Sequence, residues 1–135
     1  MNHEYYVSSE IAKLLEKAGF DWEIKTFYFN NELHETILGE AKNHNFSKVY
    51  ISAPTLEVAQ RWLREVKKLY IEIRRMPKCD LFDRYFTSIA IMQEPFDTEL
   101  RDKDDEIIYI SGKTYEKALE ATIKKALEII LAKGE

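Results

Sequence analysis

The sequence predicts a single α+β domain with helices packed on a mostly antiparallel sheet. Three observations carry this. Apolar residues recur at helical spacing in three separate segments. Between them the period switches to two. No Pro-, Gly- or Ser-rich linker divides the 135 residues, a length that suits one domain with one core. The expected element order is α-β-β-α-β-β-(β)-α over residues 1–135.

Ser8-Ser9-Glu10 precedes Ile11, Leu14, Leu15 and Ala18, and Gly19 follows. That is a cap, an apolar stripe and a stop, so a helix is expected over Ser9 to Ala18. Residues Glu23 to Phe29 are rich in β formers, and Leu33 to Leu38 returns as a second strand. Asn30-Asn31 between them suits a tight hairpin because asparagine tolerates positive φ. Gly39 to Ser47 reads as polar loop, and Val49 to Ile51 as a short extended entry to the next helix. Pro54 and Thr55 mark its start. Leu56, Ala59, Trp62, Leu63, Val66 and Leu69 then recur at helical spacing.

From Leu69 the pattern alternates: Leu69, Ile71 and Ile73 against Tyr70, Glu72 and Arg74. Met76 to Asp80, with Pro77, reads as a turn. Tyr85 to Met92 is apolar on both faces, so it is expected in the middle of the sheet. Residues 94–106 form an acidic loop, Ile107 to Ile110 a short strand, and Thr114 to Ala132 the longest helix, with Tyr115, Ala118, Leu119, Ile123, Ala126, Leu127, Ile130 and Leu131 on one broad face.

Residues 50–59 and 109–118 share the pattern Y-I-S-x-x-T-x-E-x-A, and Tyr6 to Ala12 is a shortened version. Each copy sits where an extended segment enters a helix. Threonine can cap the first turn, and glutamate there favours the helix dipole. The pattern is either an α-β-β unit used twice or convergence on good capping chemistry, and neither alternative names an activity.

Composition excludes several classes. Hydrophobic residues at 45% and charged residues at 33% argue against wholesale disorder. A net charge of −4 argues against a dedicated nucleic-acid binder, without excluding a local basic face. The single cysteine, Cys79, forms no intramolecular disulfide, so nothing points to secretion. Residues 1–10 lack a basic segment followed by an apolar run, and no apolar stretch approaches the ~20 residues that span a bilayer. The expected location is the cytoplasm, with no membrane contact.

The central segments Ser52 to Leu56 and Ala59 to Glu65, with the helix from Thr114 to Leu119, resemble small uncharacterised proteins of bacteria and their phages or mobile elements. The resemblance covers Tyr6 to Ile130 and implies a bacterial or phage setting, with no functional residue. Ile108 to Ile129 is similar to the last strand and helix of HicB-type antitoxins, small α+β domains that cover a toxin partner.

No catalytic or cofactor motif is present. His3, His34 and His44 are scattered, and no H-x₃-H or C-x-x-C spacing supplies half of a zinc site. Glu40 and His44 are four apart but lie in a loop-like stretch. Counted from Asp102, an EF-hand would need glycine at Ile107 and glutamate at Lys113, so the match fails. No G-x-S-x-G turn, P-loop or dinucleotide loop occurs. Cys79 lies between Lys78, which would favour a thiolate, and Asp80, which would oppose it. Neither an enzyme nor a cofactor is expected.

Charge asymmetry is the most informative feature. Residues 61–78 hold Arg61, Arg64, Lys67, Lys68, Arg74, Arg75 and Lys78 against Glu65 and Glu72, a net of +5. Residues 94–106 hold Glu94, Asp97, Glu99, Asp102, Asp104, Asp105 and Glu106 against Arg101 and Lys103, a net of −5. Such polarity steers a charged partner. The expectation is a small binding or accessory protein acting through a protein interface, with a protein partner or a second copy of itself, and with Arg61, Arg64, Lys67, Lys68, Arg74 and Arg75 as partner contacts. The alternative is a nucleic-acid contact through residues 61–78, with Tyr70 stacking beside Arg74. The basic side chains could equally be solvated faces, or be covered by the acidic loop. Phe27, Tyr28, Phe29, Phe82, Tyr85 and Phe86 suggest either a ligand pocket or sheet packing, and packing is the commoner use.

Overall fold

Ser8 starts the first helix: its Oγ accepts a hydrogen bond from the Ile11 N–H at 3.2 Å. Helix α1 (Ser9–Ala18) stops at Gly19, whose φ of 97° lies in the left-handed region that favours glycine. The protein is described here by a computed structural model covering residues 3–36, 40–76 and 84–134. Strands β1 (Thr26–Phe29) and β2 (Glu32–Glu35) follow. Asn30 and Asn31 both take positive φ, 52° and 63°, as a two-residue hairpin demands. That turn pairs Phe27 with His34 and Phe29 with Glu32. The strand starts at Thr26 rather than Glu23 because Ile24 forms an isolated bridge with Lys42 instead. The expected end of the second strand, at Leu38, lies outside the described residues.

The loop from residue 40 contains one 3-10 turn, His44–Phe46. Strand β3 (Ile51–Ser52) then pairs with the free side of β1, giving the antiparallel order β2-β1-β3. Two bonds tie the N-terminus to this unit. Val7 N–H donates to the Pro54 carbonyl at 3.0 Å. The Tyr28 hydroxyl donates to the Val7 carbonyl at 2.7 Å.

Helix α2 (Leu56–Glu65) is capped by Thr55, whose Oγ1 accepts from the Val58 N–H at 3.2 Å. Lys68, at φ 61°, turns the chain into β4 (Leu69–Arg75). Strand β5 (Tyr85–Ile91) pairs with β4 along its full length. The expected turn at Pro77 to Asp80 lies outside the described residues. Strands β6 (Thr98–Glu99) and β7 (Ile110–Gly112) pair end to end along the other side of β5. Strand β5 is thus central, as its apolar pattern predicts.

The acidic segment is therefore not all loop, since it contains β6. The last strand is also shifted from Ile107–Ile110 to Ile110–Gly112. The Asp102 carboxylate accepts from the Asp104 and Glu106 N–H groups at 2.8 and 3.0 Å. These bonds, with the nearby cations, hold the carboxyl below its usual range. Asp105 at φ 61° closes the same turn, so Ile107 only bridges Arg101 and pairing with β5 begins at Ile110.

Helix α3 (Tyr115–Gly134) starts where Thr114 Oγ1 accepts from the Lys117 N–H at 3.1 Å. It packs on α1, α2 and the β4, β5 and β7 strands. The core runs through Val7, Leu15, Phe20, Trp62, Leu63, Ile71, Ile89, Ile123 and Leu127. One polar pair is enclosed with them. Thr122 Oγ1 donates to the Ala118 carbonyl and meets Thr87 Oγ1, each at 2.7 Å, so neither hydroxyl is left without a partner.

The α+β class and antiparallel pairing follow the sequence, with the strands divided between two sheets. The three Y-I-S-like junctions share one cap geometry, a hydroxyl accepting from the N–H three residues on. The third strand nevertheless joins the first hairpin strand in one sheet and the second hairpin strand in the other. The echo is thus shared at the junctions and not in the strand order around them.

Candidate functional site

Helix α2 buries Leu56, Ala59, Trp62 and Leu63, which leaves Glu57, Gln60, Arg61 and Arg64 along its outer flank. Arg61 pairs with Glu65 one turn on, at 3.4 Å, and lies 5.4 Å over the Trp22 ring. Lys67 lies 5.5 Å over the Trp62 ring. Arg74 pairs with Glu72 on its own strand. Arg64, Lys68 and Arg75 form no ion pair among the described residues. The six basic positions follow the chain as a ribbon from α2 through the turn to the end of β4, with Arg74 on the sheet face away from α2, and Lys78 lies outside the described residues. Among the described residues no ion pair joins this ribbon to residues 94–106. The acidic stretch packs instead beside α3, where Asp102, Lys103 and Asp104 share a hollow with Lys125, Glu128 and Lys133.

Strand β4 is an edge. Met92 N–H donates to the Lys68 carbonyl at 2.8 Å and Met76 N–H to the Arg84 carbonyl at 2.7 Å. Even-numbered positions of β4 thus bond to β5, and the odd-numbered N–H and C=O groups point away from the sheet. Gln60 Nε2 donates to the Ile71 carbonyl at 3.3 Å, which occupies one of them. Leu69 and Ile71 are buried, Ile73 is half-buried, and Arg75 and Met76 are exposed. Among the described residues nothing pairs with the outward groups of Ile73 and Arg75 at the end of this edge. Beside it, Tyr70, Glu72 and Arg74 stand on the outer face, with Arg74 directly opposite Phe86.

A second cluster lies on the three-stranded sheet. The hairpin register places Phe27 against His34, and their rings stack at 5.6 Å. The His44–Phe46 turn brings His44 to 4.7 Å from Phe27, and Tyr50 meets Phe27 edge-on at 4.9 Å. His44 is held firmly. Its backbone N–H donates to Ser52 Oγ at 3.0 Å, and its Nε2 lies 2.9 Å from the Ile24 carbonyl, which fixes Nε2 as the donor. A hollow of about 530 Å³ opens over these rings. Scattered spacing had concealed that His34 and His44 flank one phenylalanine. Of the aromatic residues singled out in the sequence, Phe27 lines the hollow, Tyr28 is tied to Val7, and Phe82 lies outside the described residues.

Burial pushes the His44 pKa below its ordinary 6.5, against the opposing bond to Ile24 and with Lys42 nearby. Below about pH 6.5 the unfolded chain takes up a proton at this position that the folded chain resists. Stability is therefore expected to be complete above pH 6.5 and to fall as pH drops toward the folded-state value. Urea midpoints across this range, compared between wild type and His44→Gln, check it: the variant's midpoint should fall less.

Among the described residues no group of three or more His, Cys, Asp or Glu side chains is placed to hold a metal, and no helix is long and apolar enough to cross a membrane. No protein-family model, curated protein or solved structure matches the chain.

Proposed function

We propose that this protein is a small binding module that receives an extended, acidic segment of a protein partner on the open end of β4. The carrying observation is the edge from Ile73 to Met76, unpaired among the described residues, with Arg74 and Arg75 on it. An incoming strand would pair with the outward groups of Ile73 and Arg75, the main-chain mode of strand addition. The basic ribbon on α2 and the turn before β4 adds attraction and selects acidic sequences.

The test is a tagged pull-down from the native host at low and at physiological salt, with three baits. Wild type should retain a stoichiometric protein. The charge reversal Arg74→Glu with Arg75→Glu should weaken its retention at least about tenfold. Arg75→Pro removes an outward N–H that makes no bond to β5, so the sheet persists while strand addition is blocked. Unchanged retention by both variants would remove β4 as the contact.

A second reading rests on the outer face of the same sheet, where Phe86 lies opposite Arg74 and Tyr70 stands beyond Glu72 on the same face. Such a face could stack the bases of a single strand. It predicts nucleic acid in the eluate that is released steeply by salt.

A further inference from the structure

We propose that the hollow on the three-stranded sheet is a binding site for a free, uncharged, planar nitrogen heterocycle of the purine or nucleoside class. The site is independent of the β4 edge.

The floor is aromatic. Phe27 is enclosed by His34, His44 and Tyr50 at ring distances of 5.6, 4.7 and 4.9 Å, and Phe29 extends the surface at 5.6 Å from Tyr50. Phe46 stands at the rim, 91% exposed, where an apolar side chain of this size gains nothing from the fold. A flat ring laid between rim and floor would cover both surfaces.

The wall supplies the polar recognition. His34 Nε2 and Thr36 Oγ1 are themselves shielded from water, on side chains that are otherwise partly exposed, and have no hydrogen-bond partner among the described residues. Glu32, the nearest carboxylate to His34, is 4.0 Å away, beyond hydrogen-bond reach. Two such orphans at one hollow are costly unless something satisfies them. A hydroxyl both donates and accepts, and an imidazole nitrogen does one or the other according to its tautomer. The edge of a nitrogen heterocycle offers donors and acceptors side by side and matches that pair. A purely hydrocarbon ring would leave both atoms unpaired. His44, with Nε2 committed to Ile24, keeps its ring fixed in the floor.

Charge sets the ligand class further. Lys42 and Glu35 both line the hollow, so the rim carries no net charge to hold a phosphate or carboxylate. About 530 Å³ lies within the range of small-molecule sites and exceeds what one ring fills, which leaves room for a sugar.

The experiment titrates adenosine into isotope-labelled protein and follows the His34 and His44 rings and the Thr36 amide by NMR. Saturable upfield shifts confined to these groups are expected, with a dissociation constant below about 1 mM. Benzyl alcohol, which stacks but lacks ring nitrogens, should bind at least about tenfold more weakly. His34→Phe keeps the stack and deletes Nε2, and should weaken adenosine about tenfold. Tyr50→Ala, at a 39% exposed position, should do so through lost stacking without disturbing the fold. Absence of saturable shifts in wild type would overturn the proposal. Equal binding of benzyl alcohol and adenosine would overturn it too, and that comparison decides the matter even where a variant fails to fold.

Discussion

Trp62→Ala is expected to lower the unfolding free energy by about 3–5 kcal/mol. Trp62 is 1% exposed, and its ring meets Phe20 edge-on at 5.5 Å in the middle of the core. A chain of this length has roughly 7–20 kcal/mol of stability in total. The variant would therefore lose a large share of it and unfold at much lower urea. Trp62→Phe sharpens the test. The indole Nε1 has no hydrogen-bond partner among the described residues, so phenylalanine removes volume without orphaning any of their groups. It should cost only about 1–2 kcal/mol, mostly cavity. A loss below ~1 kcal/mol for alanine would mean that Trp62 does not organise the core.

Gly112→Val is the second large effect, expected at about 2–3 kcal/mol or more. A Cβ built on Gly112 would lie 2.6 Å from the Ala118 N and 2.8 Å from its Cα. Both are backbone atoms in the first turn of α3, which cannot rotate aside as a side-chain tip can. The helix must move off β7, and the enclosed Thr122–Thr87 pair lies within a turn of the contact. Gly19→Ala is the control with the opposite cause. Nothing lies within 4 Å of its Cβ, but φ is 97°, so the cost should be only about 1 kcal/mol. Thermal melts of the two variants check the ranking: Gly112→Val should melt well below Gly19→Ala.

Local chemistry made the helices legible. Ser8, Thr55 and Thr114 announce their caps in sequence, and each forms the predicted bond. Asn30-Asn31 was legible to the level of φ, and a two-residue turn also fixes the register that sets Phe27 against His34. Half of the aromatic hollow could therefore have been read from the hairpin alone. The other half could not. His44 and Tyr50 reach Phe27 through an irregular loop whose course depends on the Ile24–Lys42 bridge and the Asn45 contacts with Phe20 and Ser52, all of them non-local. The division into two sheets was hidden for the same reason. Period-two patterning says that a strand is half-buried, not which neighbour it pairs with. The charge polarity was plain in the sequence, while its spatial meaning required knowing that β5 separates the two segments.

That separation governs what an approaching molecule feels. Strand β5 holds β4 on one flank and β6 on the other, and Arg74 lies opposite Phe86 whereas β6 pairs at Ala90 and Ile91, so two interstrand spacings and four residues of strand, roughly 15–17 Å, separate Arg74 from Glu99. The Debye length in physiological salt is about 8 Å. A partner touching Arg74 under those conditions senses a cationic surface, because the acidic flank is screened by the intervening ions. In dilute buffer the screening cloud expands past the width of the sheet, and the same partner senses the whole molecule, whose net charge is −4. An acidic ligand would then be repelled from afar and attracted only close in. Moderate salt would quicken its capture, the reverse of the usual behaviour for oppositely charged partners.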